Sequence, residues 1–559
     1  MLQMKKLSPH YKASVMRLQN IYADLSGLPD ASRLAYLHGP RKRWDESQIA
    51  EMWSSADSHS ASGVEVHNHM YVHVPFCKSI CSFCNYERLR PSRPGLLREY
   101  VDRVVKSIER ISPQVKHLQF SSLYFGGGTP SVLPASLLKE LLVAIDSSFS
   151  FYADNCRAFE FDPAVMNAEK LRITREHNFS RYSFGIQTLE ASVMKNHNRG
   201  FQRKELVEKR FTEMRQQGVR SVSCDILLGL AGTNAPQLIQ EIDELLANYQ
   251  PQQVDIFMLT PTHEYVSSHF NGSFEAFWAH IAPFEELVPK SLPKIAERNG
   301  YDYVGGQSHV LRLTKRMSWV GDQRNARSYT QLSCQSKNPI NLLGLGPSAR
   351  SSIFGKAMIQ CQAPEKQGEY FFYEGHQIDI SAEGRLYLAH TLRDNNSIDL
   401  SEYKQVIGKD LVDVHPVAVA AWQSDGLVNI ERGVLRWKEQ KRRERTRSLL
   451  WLVPADKIEY EVARRWRLQL DHSALEERLL PFVVGSEITA GVRLQQIEDQ
   501  KIILQLPSGM TLPIRVAPGW DKHQDLRLVL LKGPPEIYRK SVLRTLKILK
   551  KLLYRTNHR

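Results

Sequence analysis

The stretch YVHVPFCKSICSFCNYERLR (71–90) places Cys77, Cys81 and Cys84 within eight residues, directly after an alternating apolar run that is typical of a strand. Three such thiols could be plain structural cysteines, or could hold zinc with a histidine as fourth ligand. They could also bind three irons of a [4Fe–4S] cluster and leave the fourth iron without a protein ligand. Structural zinc prefers closed sites built from paired ligands, so the C-x3-C-x2-C spacing favours the cluster. The histidines near enough to serve zinc are His67, His69 and His73.

Length and composition indicate a multidomain globular chain. Its 559 residues exceed what one core usually holds, so we expect one large domain and one or two smaller ones. No apolar run reaches the roughly 18 residues that span a bilayer, and the start MLQMKKLSPHYK does not read as a secretory signal. We therefore expect a cytoplasmic protein. Seven cysteines are an odd number, which argues against a disulfide framework. We expect the four outside the loop to be inert thiols: Cys156, Cys224, Cys334 and Cys361.

Strand-like and helical patterns alternate from residue 70 to residue 259. Amphipathic stretches such as LLREYVDRVVKSIERI separate the apolar runs, and this alternation predicts parallel strands joined by crossover helices, in an open or closed barrel. Chemistry in such folds gathers at the C-terminal ends of the strands. The predicted strands are 70–74, 118–125, 157–161, 181–186, 219–228 and 254–259.

The flanking segments have a different texture. Residues 1–68 lack periodicity and are predicted to be an irregular lead-in, ahead of a core over 69–383. Residues 384–440 are predicted to form a small helical, winged-helix-like unit. Residues 441–559 are predicted to form an extra α+β or β-rich domain, because KIILQLPSGMTLPIRV (501–516) contains two strand-like runs around a Pro-Ser-Gly turn.

The cysteine motif resembles that of the radical S-adenosylmethionine (SAM) superfamily, and the motifs that follow it resemble the oxygen-independent coproporphyrinogen III oxidase family. The resemblance covers about residues 70–435. It implies an α/β fold with a partial (β/α)6 barrel, in which SAM occupies the open iron and is cleaved to a 5′-deoxyadenosyl radical. The motifs that carry it, in chain order, are YVHVPFC (71–77), YFGGGTPS (124–131), EFDP (160–163), RYSFGIQTLEASVMKNHNRG (181–200), CDILLGL (224–230), RNARSYT (324–330) and LLGLGPSARS (342–351).

The resemblance also implies the roles of individual residues. The three loop cysteines would ligate the cluster. Tyr71, Gly127 and Glu160 would hold the SAM on the cluster, and Arg350 would line it. Tyr71, Glu160 and Gln187 are the residues expected to take part in catalysis. Taken alone, Glu160 and Asp225 would serve equally well as caps or ion-pair partners at strand ends. The residues expected around a second SAM are Phe83, Gly128, Thr129, Gln187, Arg199 and Asp225.

Departures from the family shape the expected reaction. An R-Y-T-S-Y-P-T segment is not found, Asn85-Tyr86 stands where Gly-Cys follows the last cluster cysteine, and RNARSYT stands where the heme-chaperone relatives carry H-N-x2-Y-W. We therefore expect carbon methylation in the class C manner, with the second SAM as methyl donor to a small-molecule or tetrapyrrole-like substrate. The alternative is oxidative decarboxylation of a tetrapyrrole side chain. A rival of another class is a heme- or cluster-binding module without catalysis.

Basic segments suggest partners for the chain. The net charge is +14, and residues 539–559 hold eight Lys or Arg and no acidic residue. SVLRTLKILKKLLYR (541–555) has helical apolar spacing, which is typical of a docked C-terminal helix and also of a helix that binds an anionic membrane surface or an acidic protein. Nucleic acid is disfavoured because no module fingerprint is found. The radical chemistry implies an electron donor such as flavodoxin or ferredoxin.

Overall fold

The structure is a computed structural model, and it divides the chain into two compact units. The larger comprises Lys42–Val414 and Ile430–Arg436, and the smaller comprises Met1–Arg41, His415–Asn429 and Trp437–Arg559. The residues that the structure describes are 38, 41–57, 59, 63–86, 88–219, 221–304, 310–316, 339–363, 371–394, 397–438, 448–454, 457, 487–489, 492–498, 501–505 and 511–515.

One sheet of thirteen strands dominates the larger unit, and helices connect its central strands. Its strands are β1 Lys42–Trp44, β2 His67–Val74, β3 Gln119–Gly127, β4 Ser150–Glu160, β5 Arg181–Gln187, β6 Ser221–Leu228, β7 Gln253–Met258, β8 Tyr301–Val304, β9 Val310–Lys315, β10 Ile340–Leu345, β11 Arg350–Ile353, β12 Ala357–Gln362 and β13 Phe372–Gln377. The helices up to β8 are α1 Glu46–Ser54, α2 Leu96–Ile111, α3 Ala135–Ser148, α4 Ala168–Glu176, α5 Ala191–Asn196, α6 Lys204–Gln216, α7 Ala235–Glu244, α8 His263–Phe270 and α9 Phe274–Asn299.

The centre of the sheet is parallel. Strands β2 to β7 pair side by side in chain order, and β10 adds a further parallel strand beside β2. Strands β2 to β7 are the six strands predicted from the sequence, and each ends within a few residues of its predicted C-terminal end. The mixed α/β prediction is therefore confirmed. The two edge strands, β1 and β8, do not pair with each other in the described residues.

Period-two alternation divides the two faces of the parallel strands. On β2, Val72 and Val74 are fully buried in the apolar core, while Tyr71 and His73 alternate with them on the opposite face. Helix α2 meets the same core through the stripe Tyr100, Val104 and Ile108, whose spacing of four residues keeps them on one helical face. The polar face of the sheet is therefore left for a site.

The N-terminal prediction is wrong for residues 42–54. Strand β1 pairs antiparallel with β13, and α1 begins with a capping box in which the Asp45 side chain accepts from the Gln48 backbone N–H. The Trp53 side chain of α1 is fully buried. A three-residue strand gives no readable alternation, and its partner lies more than 300 residues away, which explains why the sequence suggested an irregular segment.

Antiparallel strands extend the sheet on both sides. Strands β9 and β8 follow β7, and β11, β12, β13 and β1 follow β10. Beyond β13 lie α10 Ile380–Asp394, β14 Ser397–Asp399, α11 Leu400–Ile407, α12 Leu411–Val414, α13 Pro416–Ser424, β15 Val428–Glu431 and β16 Val434–Trp437.

Helix α13 differs from the predicted domain boundary, since it belongs to the smaller unit. Its Trp422 is fully buried, donates from the indole N–H to the Ser448 carbonyl at 2.8 Å, and packs on Trp437 with ring centroids 4.7 Å apart. A buried tryptophan of this size decides where the helix packs. The smaller unit also contains the antiparallel sheet β17 Glu487–Thr489, β18 Val492–Glu498, β19 Lys501–Gln505 and β20 Thr511–Arg515, which includes both strands predicted over 501–516.

Some predicted features lie outside the described residues: RNARSYT (324–330), Cys334 and the basic tail (541–555). In the part of the chain that is described, no helix combines the length and the apolar character needed to cross a membrane.

Candidate active site

The cysteine loop leaves the C-terminal end of β2 and is tied back to the chain that follows it. The Cys77 backbone N–H donates to the Leu89 carbonyl at 2.9 Å, and the Leu89 N–H donates to the Pro75 carbonyl at 2.7 Å. Between these ties Cys84 N–H donates to the Cys81 carbonyl. These bonds tie both ends of the loop to each other and hold the turn between Cys81 and Cys84.

The three loop thiols lie close enough to influence one another's charge. Burial raises the pKa of Cys77, and the neighbouring Cys84 and Cys81 raise it further. Burial also raises the pKa of Cys81, while Arg199 opposes that shift. Among the described residues, no group of three or more His, Cys, Asp or Glu side chains is arranged around a single metal ion. The three other described cysteines are buried elsewhere: Cys156, Cys224 and Cys361.

Two donors reach the sulfurs from outside the loop. Thr129 Oγ1 lies 3.6 Å from Cys77 Sγ, and Arg199 Nη1 lies 3.8 Å from Cys81 Sγ, and each group donates a hydrogen bond to the sulfur. Hydrogen bonds to the sulfurs of an iron–sulfur cluster tune its reduction potential. Three coupled thiols with donors already directed at them fit the cluster chemistry.

Gly128 makes room for Cys77. A Cβ at this position would lie 2.7 Å from the Phe76 carbonyl oxygen and 2.9 Å from Cys77 Sγ. Gly128 N–H also donates to the Val74 carbonyl at 2.8 Å. This bond opposes a backbone shift that would relieve the clash between an added Cβ and Cys77. The glycine motif after β3 thus shapes the cysteine loop itself.

We predict that Gly128→Ala lowers the iron content of anaerobically reconstituted protein severalfold, because the added methyl group displaces Cys77. Iron and sulfide assays measure the effect. Gly95→Ala is the control, since Gly95 has φ +82° but a Cβ there meets nothing within 4 Å. That variant adds backbone strain without approaching the thiols. Normal iron content in Gly128→Ala would contradict the steric argument.

Glu160 lies at the end of β4 with its carboxylate held on both oxygens. Tyr124 donates to Oε1 at 2.5 Å, and the Gly127 backbone N–H donates to Oε2 at 3.2 Å. Burial raises the pKa of Glu160, and these two donors oppose the shift. Gly127 has φ +113°, and a Cβ there would meet the His73 ring at 2.8 Å, so only glycine fits this backbone. Tyr71 is beside this group, with its hydroxyl 2.9 Å from His73 Nδ1.

Asp225 faces a second acidic residue on the next strand. It is in register with Asp255 of β7, and Asp255 pairs with Arg312 at 2.6 Å. Burial, then the charges of Asp255 and Glu160, raise the pKa of Asp225 to about 8, and Arg181 and Arg199 oppose the shift. A cationic ligand beside Asp225 would therefore favour the ionised carboxylate and lower its pKa.

We predict that Asp225→Asn stabilises the cluster-free protein at high pH. The pKa of Asp225 is raised from 3.8 to about 8. Between about pH 4 and pH 8, Asp225 therefore stays protonated in the folded chain but is ionised in the unfolded chain. Stability from this group is therefore present below about pH 4 and is lost as the pH rises through about 8. The melting temperature of the variant minus that of the wild type should grow across this window and be largest above it.

Circular dichroism melts at several pH values measure this difference. Asp154→Asn, which changes an exposed carboxylate on β4, is the control and should show a difference that is flat with pH. A flat difference for Asp225→Asn as well would contradict the raised pKa.

Gln187 and Arg199 complete the wall beside the loop. Gln187 ends β5 in the left-handed region with φ +67°, next to an irregularity in the pairing with β6. Such strain in a non-glycine residue is common at functional sites. Arg199 donates to the Gly185 carbonyl at 2.9 Å and to Gln202 Oε1 at 2.9 Å, and it lies 3.5 Å from the Asp162 carboxylate. Its guanidinium is therefore fixed in direction.

Arg350 and Phe83 stand apart from this wall. Arg350 is exposed at the start of β11. A Cβ added to Gly344 would lie only 2.3 Å from the Arg350 carbonyl oxygen, so the two backbones approach closely. Gly344 is in register with Tyr71, so the Arg350 backbone crosses near the site, while no described contact joins its side chain to the other predicted residues. Phe83 packs edge-on against His197, with ring centroids 5.9 Å apart.

Comparisons with known proteins place this site in a family. The model of the radical SAM superfamily matches residues 71–246. The oxygen-independent coproporphyrinogen III oxidase of Pseudomonas aeruginosa is 28% identical over 51% of this chain and 61% of its own length. The anaerobic coproporphyrinogen III oxidase 1 of Cereibacter sphaeroides is 30% identical over 55% of this chain and 69% of its own.

The chain belongs to the oxygen-independent coproporphyrinogen III oxidase family. Its fold agrees with a solved structure of that family, coproporphyrinogen III oxidase (HemN) from Escherichia coli. That structure matches with a TM-score of 0.58 at 19% identity, over 72% of this chain and 92% of the other. The chain spans under two thirds of the length of the Pseudomonas relative. The predicted superfamily and family are thereby confirmed.

The cofactors of this family member are a [4Fe–4S] cluster and SAM, as predicted. The residues present fit both groups. The three thiols, with the donors Thr129 and Arg199, fit the cluster. A cradle of glycine backbone beside the fixed carboxylate of Glu160 fits a small ligand that carries an ammonium group. The site thus fits the radical SAM superfamily, whose model matches residues 71–246.

The sequence did not reveal the residues that orient Glu160, Gly127 and Arg199. Tyr124 holds Glu160, His73 lies under Gly127, and Asp162 faces Arg199. Tyr124 and Asp162 lie inside quoted motifs, and His73 shares the face of Tyr71 by alternation on β2. That alternation could have predicted that His73 faces the site.

A chain of hydrogen bonds behind the cysteine loop was also missed. His197 Nε2 lies 3.1 Å from the Ala231 carbonyl, which can only accept, so Nε2 carries the proton and Nδ1 accepts. The Ser82 hydroxyl therefore donates to His197 Nδ1 at 2.8 Å, and Ser82 Oγ accepts from His269 Nε2 at 3.1 Å. This chain fixes the loop between Cys81 and Cys84 to the ends of α5 and α8.

Proposed function

We propose that this chain catalyses the oxidative decarboxylation of a tetrapyrrole propionate side chain, in the manner of the oxygen-independent coproporphyrinogen III oxidases. The observation that carries the proposal is the polar wall of Glu160, Asp225 and Arg199 beside the cysteine loop, in a chain whose relatives reported above are named coproporphyrinogen III oxidases. Those names favour the decarboxylation alternative over the carbon methylation expected from the sequence.

The residues divide the work by chemistry. When bound, the cluster and SAM would supply the radical chemistry that removes a hydrogen atom from the substrate. Glu160, with both oxygens already held by donors, is directed to orient the SAM nearest the thiols. Arg199 suits a carboxylate and Asp225 suits an amino group or a ribose, which are the groups a second SAM would present. In the balanced reaction the side chain loses a hydrogen atom, carbon dioxide and one electron, which passes to an acceptor.

Product analysis tests the proposal. Reconstituted, reduced enzyme is incubated anaerobically with SAM and coproporphyrinogen III that carries a carboxyl label, and the gas, the porphyrin product and the SAM products are measured. We expect labelled carbon dioxide together with 5′-deoxyadenosine. S-adenosylhomocysteine with a methylated product would instead support methylation. Bound heme without SAM cleavage would support the binding module.

A further inference from the structure

The segment that follows the cysteine loop carries exposed apolar side chains. Among the described residues, Tyr86 (67% exposed) and Leu89 (55% exposed) are the most exposed of the large apolar side chains. Exposed apolar groups that cluster mark interaction surfaces more often than single ones do, and these two lie three residues apart in the chain. Tyrosine is also among the residues that contribute most to protein interfaces.

Cationic residues flank these two residues in the sequence. Residues 78–93 contain four cationic residues and one acidic residue. Arg93 is paired with Glu99, whereas Lys78, Arg88 and Arg90 form no ion pair with a carboxylate within the described ranges. Lys78 and Arg90 are exposed, and Arg88 is oriented by its donation to the Tyr86 carbonyl at 2.7 Å. The segment therefore carries an excess of positive charge together with two exposed apolar side chains, which suits an acidic protein partner.

The backbone fixes this surface next to the site. The Leu89 backbone accepts a hydrogen bond from Cys77 N–H and donates one to the Pro75 carbonyl, so residue 89 is paired with the start of the cysteine loop. A pocket of about 370 Å³ also opens here, and Cys81, Ser82 and Arg88 are among its lining residues. A partner seated on the surface would be close to two of the three thiols.

We propose that the docking surface formed by Lys78, Tyr86, Arg88, Leu89 and Arg90 binds an acidic one-electron carrier protein of the flavodoxin type. The inference rests on the proposed function, because radical chemistry with SAM needs one electron per cleavage. The reduced carrier loses that electron to the cluster, and no bond forms or breaks at the surface. The position beside the thiols is what favours an electron carrier over other acidic partners.

A double variant tests the surface in the full-length reconstituted protein. Leu89→Ser with Arg90→Glu removes one apolar contact and reverses one charge, and it leaves the backbone bonds of Leu89 in place. The matched control is Lys139→Glu with Val143→Ser on α3, which changes an exposed cation and a 49%-exposed apolar side chain four residues apart. Stopped-flow absorbance follows reduction of the cluster by reduced flavodoxin, and separately by dithionite, without substrate.

We expect the double variant to be reduced by flavodoxin about tenfold more slowly or worse, since charge steering contributes on the order of 10- to 1,000-fold to association rates. The control variant and reduction by dithionite should be unchanged. Added salt should slow reduction of the wild type by flavodoxin and should affect the double variant less. Tyr86→Ser, which keeps all charges, should slow the reaction without changing its salt dependence.

Three results would overturn the proposal. One is reduction of the double variant by flavodoxin at the wild-type rate. Another is an equal slowing with dithionite or a fall in iron content, which would assign the segment to holding the loop. The third is loss of binding to phosphatidylserine vesicles with flavodoxin reduction intact, which would assign the surface to a membrane. Since no substrate is present, these readouts are independent of which product the enzyme makes.

Discussion

Replacing any one of Cys77, Cys81 and Cys84 by alanine is expected to abolish both the iron–sulfur absorbance and the cleavage of SAM. The cluster is expected to take three ligands from this chain, because its fourth iron would be left for SAM, and a remaining pair of thiols would not hold it. Thr129 and Arg199, which reach the thiols from outside the loop, hydrogen-bond to sulfur and would not replace a thiolate on iron. Iron content, the visible spectrum and 5′-deoxyadenosine formation measure the loss.

Cys156→Ala is the matched control, because Cys156 is a buried thiol on β4 that lies outside the loop. It should keep the cluster and the SAM cleavage. The corresponding changes at Cys224 and Cys361 would remove side chains from a packed core, so a loss there would report stability instead. Zinc in place of iron in the anaerobically reconstituted wild type would refute the cluster assignment.

The parallel strands could be predicted because their signal is local. Buried apolar residues recur at every second position on β6 from Val222 to Leu228, and on β2 from Met70 to Val74. They face the helices, and the residues between them face the site. Asp225 and Tyr71 could be placed on that polar face from the alternation alone. The loop cysteines needed only their spacing.

What could not be predicted depends on contacts between distant segments. Strand β1 finds β13 across more than 300 residues, and no local pattern announces that pairing. The same holds within the site, where the Tyr124–Glu160 bond joins β3 to β4 and the left-handed φ of Gln187 arises from irregular pairing. Residue types in a motif indicate which chemistry is available, while these contacts decide which atoms are directed at the ligand.

Arg199 shows why the two SAM sites that the resemblance implies cannot be separated by motif alone. The resemblance assigns it to the second SAM, yet its guanidinium also donates to Cys81 Sγ and lies 3.5 Å from Asp162. A change at Arg199 would therefore disturb the cluster environment together with any second ligand. Asp225 has no such contact with the loop among the bonds described, so it is the better probe of the second site.

The two sites should be separable with Glu160→Ala and Asp225→Asn. An interaction that positions one reactant contributes only to the step that uses that reactant. Glu160→Ala removes the carboxylate held by Tyr124 and Gly127, so we expect it to reduce 5′-deoxyadenosine formation itself. Asp225→Asn should spare that cleavage and reduce product formation. Losing a hydrogen bond to a charged group costs about 1.5–3 kcal/mol, which corresponds to a roughly ten- to hundredfold loss of affinity.

Titration with SAM supplies the decisive control for this pair. High SAM should partly restore product formation in Asp225→Asn, because weakened binding is overcome by concentration, and it should not rescue any of the three loop cysteine variants. The ratio of product to 5′-deoxyadenosine, measured by liquid chromatography at each SAM concentration, separates the two cases. An equal fall of 5′-deoxyadenosine in Glu160→Ala and Asp225→Asn, unrelieved by SAM, would mean that both carboxylates serve one bound SAM.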